Sequence, residues 1–249
     1  MAATTDHDEQ TADAPVSPSQ ARPRGPVGKL ATAVSLFGEL LITAGLVLGL
    51  FVAYSLWWTN VVADREADKQ GDEVRDHWAD ANSGPGALDT KDGIGFLHVP
   101  AMSNGEVLVK KGTSSKVLND GVAGYYMDPI KSALPQAKQG NFTLAAHRDG
   151  HGAKFHNIDK LKKGDPIVFE TKNDWYVYKV YDTLPETSKY NVQVLSAIPK
   201  ESGKRKPGRY ITLTTCTPVF TSEYRYIVWG ELVRVEKVDS KRTVPQELS

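Results

Sequence analysis

Hydrophobic and polar positions follow four different rhythms along this chain. Residues 1–28 are rich in Ala, Thr, Asp, Pro and Ser and close on "PVSPSQARPRGP", a composition with too little apolar surface to bury, which predicts a disordered tail. From Leu30 the pattern inverts. The run "LATAVSLFGELLITAGLVLGLFVAYSLWW", ending at Trp58, carries a single acidic or basic residue, Glu39. A bilayer core takes about 20 apolar residues in a helix, and helices in soluble cores rarely stay apolar on every face for so long. The run is longer than the roughly 7–15 residues of a signal-peptide core. It ends in "SLWWTN" rather than a small-residue cleavage site, with Tyr54, Trp57 and Trp58 placed like an interfacial belt. Residues 29–58 therefore predict a retained transmembrane helix that meets membrane lipid.

The third rhythm, "ADREADKQGDEVRDHWADANSGPG", alternates acids and bases at helical spacing and breaks at "SGPG". With little apolar pattern of its own, it predicts a charged, solvated stalk over 59–92. From Gly93 the period shortens to two. Runs rich in Val, Ile, Tyr and Phe alternate with Gly, Pro, Asn and Asp clusters, predicting an all-β barrel or sandwich over 93–238. The expected strands are "GFLHVP", "EVLVKKG", "GNFTLAAHR", "DPIVFET", "WYVYKVYDT", "RYITLTTC" and "YRYIVWGELVRVEKV", with a hairpin turn at "KND". A long connection between "YDTLPETSKYN" and "KPGRY" is of the kind that carries binding function. Residues 239–249 read as a frayed polar tail.

Charge adds little. Basic and acidic residues balance at 30 each, which gives no hint of a nucleic-acid partner. Arg22, Arg24 and Lys29 before the apolar run are matched by Arg65, Lys69 and Arg75 after it. The short N-terminal tail then favours a cytoplasmic N-terminus, with the folded domain outside the cell.

Cysteine use changes the picture more. The chain has one cysteine, Cys216, at the end of "RYITLTTC", and an odd thiol in an exported domain is a candidate reactive group. Strand alternation puts Cys216 with Tyr210, Thr212 and Thr214, opposite Ile211, Leu213 and Thr215. If Ile211 and Leu213 fill the core, Cys216 faces away from it.

A cysteine nucleophile works as thiolate and needs a neighbour that favours that form, most often histidine. Of six histidines, His7 lies in the tail, His77 in the stalk and His98 mid-strand; His147, His151 and His156 remain. His147 closes "NFTLAAHR" at a strand-to-loop position that mirrors that of Cys216. The four-residue spacing of His147 and His151 would suit a metal on a helix, but "HRDGHG" is a poor helix, and no metal site is expected. Arg225 opens the last strand, so a hairpin can return its planar donors to the thiol to steady a developing oxyanion.

"TLTTCTP", the arginine of "EYRYIVWG" and the upstream "GNFTLAAHR" together resemble the sortases, membrane-anchored cysteine transpeptidases of Gram-positive bacteria. "TLTTC-x-P" and "R-x-IVWG" look most like class E, and the resemblance runs from Phe96 to Val238. It implies an eight-stranded β-barrel with short helices, preceded by one transmembrane helix. It implies Cys216 as nucleophile, His147 as general acid or base and Arg225 as stabiliser of substrate and oxyanion. No cofactor is implied. The implied partners are secreted proteins with a C-terminal "LAxTG" or "LPxTG" sorting signal and the amine of a peptidoglycan precursor. Either Tyr125 or Tyr126, with Tyr126 favoured, is implicated in signal preference, and Thr214 and Thr215 join them as candidate substrate contacts. The chain departs from the family pattern in having "AAHR" for "AGHR", and "GYYMDPIKSALP" for a "GHYPxT" segment. The rival readings are a non-catalytic tethered β-barrel that binds wall or protein ligands, and a hydrolase that resolves the thioester with water.

Overall fold

The computed structural model describes residues 26–79 and 93–249; the expected tail up to residue 25 and the end of the expected stalk, 80–92, lie outside the described residues. The chain divides into two compact units between Leu50 and Phe51. The first described element is helix α1, Pro26–Ala79. Its apolar side chains from Leu30 to Trp58 are mostly exposed, and by length and composition it is a candidate membrane span.

Eight strands form a closed barrel in the order β1-β2-β3-β4-β7-β8-β6-β5. They are β1 Gly95–His98, β2 Glu106–Lys111, β3 Ala123–Tyr125, β4 Gly140–Ala145, β5 Pro166–Glu170, β6 Asp174–Ser188, β7 Arg209–Thr217 and β8 Tyr224–Lys237. A short helix α2, Ser115–Leu118, precedes β3. The pattern of alternating residues placed seven of these strands; β3, three residues including a glycine, is too short to show a period. The connection after "WYVYKVYDT" is shorter than expected, because β6 runs on to Ser188. Pro185 sits inside it at a register shift between Leu184 and Thr187, a bulge where the ladder does not need the missing N–H. Ile211, Leu213, Phe142, Leu144, Phe169 and Val228 fill the barrel interior, as the alternation required.

Two segments differ from their sequence reading. From Ala63 on, α1 lies against the barrel instead of standing free. Ala63, Ala67 and Val74 are buried, and Ala67 and Val74 cluster with Phe96, Leu108 and Val122. The contact face begins with small residues at four-residue spacing, Ala63, Ala67 and Gly71, and ends on Val74 and Trp78, too few large apolar side chains to stand out among the charges. Gly121 shows how close the approach is: at φ 74°, a Cβ there would meet the Ala63 carbonyl oxygen at 2.7 Å. The C-terminal tail is also docked. Leu248 packs with Val168, Trp175 and Val177, and Glu247 pairs with Arg234.

One buried carboxylate ties both segments to the barrel. Glu170, 2 % exposed, accepts from Arg75 of α1 at 3.1 Å, from Arg242 of the tail at 2.5 Å and from His98 at 3.0 Å. Glu170, His98 and Glu106 also stand close enough to share a metal ion, but two guanidinium groups already occupy Glu170, and Arg75 also pairs with Glu106. Burial would raise the Glu170 carboxyl, but the hydrogen bonds from His98, Arg75 and Arg242 outweigh it and hold the group at about 2, against 4.5. Converted by linkage, this is about 3 kcal/mol of stability, present above pH 4.5 and lost as pH falls toward 2. Glu170→Gln should therefore be less stable than wild type at pH 7, by about 3–5 kcal/mol, because Arg242 loses its carboxylate partner and Arg75 keeps only the more exposed Glu106. The gap should close on acidification. Urea unfolding followed by tryptophan fluorescence at several pH values checks this; a gap that stays constant would refute the assignment.

Candidate active site

The groove is built where three strands end. Strands β4 and β7 are parallel neighbours with Ala145 beside Thr214, so two residues further on each chain arrives, at the same barrel end, at His147 and Cys216. Strands β7 and β8 form an antiparallel hairpin whose register puts Cys216 directly opposite Arg225. The three residues drawn from distant parts of the sequence line one groove of about 750 Å³. Cys216 is a free, half-buried thiol, pointing out of the barrel as strand alternation required.

The histidine is oriented from two sides. Its Nε2 lies 2.9 Å from Asn119 Oδ1, at the end of α2, and its ring centroid stands 5.3 Å from that of His151. Burial lowers the His147 pKa, and His151 lowers it further, against a smaller opposing effect of Asp149. The imidazole is thus neutral at pH 7 and able to take a proton. Arg225 Nη1 donates to the carbonyls of Ser222 at 3.1 Å and Tyr224 at 2.9 Å. A guanidinium has five N–H donors in a planar fork, so these contacts fix it and still leave donors for a ligand.

Of the two tyrosines, Tyr126 lines the groove, whereas Tyr125 is buried in the barrel core and does not. Burial pushes the Tyr126 phenol up, while a hydrogen bond with Thr214 and the charge of Arg225 pull it down. Thr214 and Thr215 both line the groove; the Thr215 hydroxyl donates to the Ala146 carbonyl at 2.7 Å, and so ties β7 to the residue before His147. Beyond Arg225 the groove continues as a cleft of about 350 Å³ between the β3–β4 and β6–β7 connections. Its apolar wall is Val192, Val194, Leu195 and Ile227.

One wall of this cleft belongs to the long connection that the sequence marked for binding; of its lining the sequence named Tyr126, Thr214 and Arg225, but no residue of the connection itself. Asp149 and Phe220, which line the groove, and Asn119, which holds His147, were missed as well. Each sits in a loop, where no periodicity reports on spatial neighbours.

The sortase-domain family model matches residues 97–233, more than half of the chain. The chain belongs to the sortase family. It is 69 % identical over 256 aligned residues to Sortase SrtE2 of Streptomyces coelicolor, with 100 % of both chains covered. Sortase SrtE1 of the same organism is 47 % identical over 230 residues, covering 90 % of this chain and 65 % of that one. Among solved structures, sortase E1 of Streptomyces coelicolor with a tripeptide in its active site superposes with a TM-score of 0.60 at 49 % identity, over 63 % of this chain and 96 % of the other. Sortase E of Streptomyces avermitilis gives 0.55 at 33 % identity, over 63 % and 97 %. Sortases are cysteine transpeptidases, and the eight-stranded barrel read from the resemblance is the one present here.

Proposed function

We propose that this sortase cuts an "LAxTG"-type sorting signal between Thr and Gly and joins the new carboxyl end to an amine of a cell-wall precursor. The observation that carries the reading is the cross-strand pairing of Cys216 with Arg225, with His147 arriving at the same barrel end. Neutral His147 takes the thiol proton as Cys216 Sγ attacks the Thr carbonyl. Arg225 donors receive the charge that develops on the carbonyl oxygen. The C–N bond then breaks, and His147 returns the proton to the leaving glycine amine. A thioester remains. An incoming amine repeats the sequence in reverse, giving its proton to His147 and expelling the thiolate. The apolar cleft beside Arg225 would seat the leucine of the signal.

The same reading puts the span at 29–58 in the cell membrane, the N-terminus in the cytoplasm and the barrel outside. Substrate and lipid-linked acceptor would then share one surface, which raises their effective concentration without any new contact.

The test is to incubate the full-length chain, in detergent, with "LAxTG" and with "LPxTG" peptides, with and without added amine, and to follow products by mass spectrometry. An adduct on Cys216, release of the glycine fragment and amine-dependent ligation support the reading. Product formation indifferent to amine would favour the hydrolase, and an unreactive thiol the binding module. Tyr126→Phe in the same assay should cut the preference between the two peptides by about three- to tenfold, the worth of one hydrogen bond. An unchanged preference would remove Tyr126 from signal selection.

A further inference from the structure

The hydrogen-bonded ladder between β4 and β7 ends just before the reacting residues, at the long 3.4 Å contact of Ala146 N with the Thr214 carbonyl. Beyond it the two segments are joined by the side chains of the two residues that follow His147. Arg148 is buried, and its Nη1 donates to Thr217 Oγ1 at 2.9 Å and to the Cys216 carbonyl at 3.5 Å. Its Nη2 stands 3.3 Å from Asp159, and its guanidinium lies over the Tyr226 ring. The head group is therefore held from three directions, with one arm behind the cysteine.

Asp149 makes the second arm. Its Oδ2 accepts from the backbone N–H of Phe220, in the loop between β7 and β8, at 2.6 Å. Phe220 has φ 66°, a conformation that a bulky residue rarely adopts without being held. Its ring is 76 % exposed, so burial of the side chain does not hold it. The carboxylate holds it from outside the loop, and within the loop Thr221 N–H donates to the Pro218 carbonyl at 3.1 Å. Asp149 Oδ1, meanwhile, is buried with no hydrogen-bond partner among the described residues, 3.8 Å from His156 Nδ1. A half-satisfied carboxylate is a poor choice for stability.

We infer that Arg148 and Asp149 form a clasp that fixes the Cys216 strand end and the β7–β8 loop against the His147 loop, with Asp149 acting as a positioning residue for the acyl-transfer step. The inference rests on the reading of Cys216 and His147 as the reacting pair. The clasp acts through geometry: a displacement of about 1 Å between reacting groups can cost about 10²-fold in rate.

The experiment uses the full-length chain in detergent with the "LAxTG" peptide and an amine acceptor. Asp149→Ala should lower kcat by about 10²-fold, with a smaller change in KM because the apolar cleft beyond Arg225 is left intact. Asp149→Asn keeps an amide oxygen for the Phe220 N–H and should return kcat to within about tenfold of wild type. Thr217→Val, outside the groove, tests the Arg148 arm should Asp149→Ala fail to fold; a kcat loss of about tenfold is expected. The clasp is overturned by an unchanged kcat in Asp149→Ala, or by a loss confined to KM. It is equally overturned if Asp149→Asn is as slow as Asp149→Ala, since charge rather than the loop contact would then matter. Cys216→Ala is the control: turnover by that variant would overturn the underlying assignment of the nucleophile, whatever Asp149 does.

Discussion

Cys216→Ala is expected to abolish the acyl adduct and to lower peptide cleavage by about 10⁴–10⁶-fold, the range seen when a covalent nucleophile or its partner is removed. The reasoning is chemical. Alanine has no group that can bond to the carbonyl carbon, so the two-step path through a thioester is closed rather than slowed. The fold should not respond. The thiol is half-buried at a strand end and faces the groove, so its loss leaves no core cavity, and the melting temperature should stay close to that of wild type. Cys216→Ser is the sharper companion: it keeps nearly the same size but offers a far weaker nucleophile. Mass spectrometry of each variant after exposure to peptide reads the outcome. Cleavage by Cys216→Ala within tenfold of wild type would dismiss the cysteine mechanism and, with it, the transpeptidation reading for this groove.

Arg225→Ala should be the next most damaging change, with kcat falling by about 10²–10³-fold, as for removal of an oxyanion donor. Register puts the side chain beside the thiol, and the Ser222 and Tyr224 carbonyls keep the guanidinium where it is. Its charge therefore needs no reorganisation when the carbonyl oxygen becomes anionic. Arg225→Lys should recover little, because a lysine has the charge but not the planar fork that can hold backbone carbonyls and substrate together. Single-turnover acylation separates the possible roles. A fall in the acylation rate at saturating peptide marks transition-state stabilisation. A rise in KM with kcat intact would instead mean that Arg225 only binds the signal.

The relative ease of reading different parts of the chain follows from where their information lies. Seven strands were legible because a two-residue alternation is a local signal, and Cys216, as the only cysteine, needed no alignment to stand out. Tyr125 and Tyr126 are neighbours in sequence, and although the resemblance favours Tyr126, only the placement of β3 in the barrel decided that Tyr125 enters the core and Tyr126 the groove. The stretch after Trp58 misled for a related reason. Much of its contact face is Ala63, Ala67 and Gly71, small residues whose value lies in close approach to Phe96 and Gly121, and beside them Val74 and Trp78 are too few to make a pattern among the charges. Likewise, Arg242 and Glu247 look like polar tail residues until Glu170 and Arg234 are placed opposite them.

By itself, then, the sequence determined the apolar span, the β character of residues 93–238, the outward parity of Cys216 and the three side chains suited to acyl transfer. Those properties depend on periodicity, composition and residue chemistry, all carried within a few positions of one another. Tertiary structure decided what those positions meet: the parallel β4–β7 pairing that aligns His147 with Cys216, the hairpin register that returns Arg225, and the arms of Arg148 and Asp149 that reach across the gap. Cys216 and Arg225 are nine residues apart and the other partners about seventy, and strand pairing, not local preference, sets which of them come into contact.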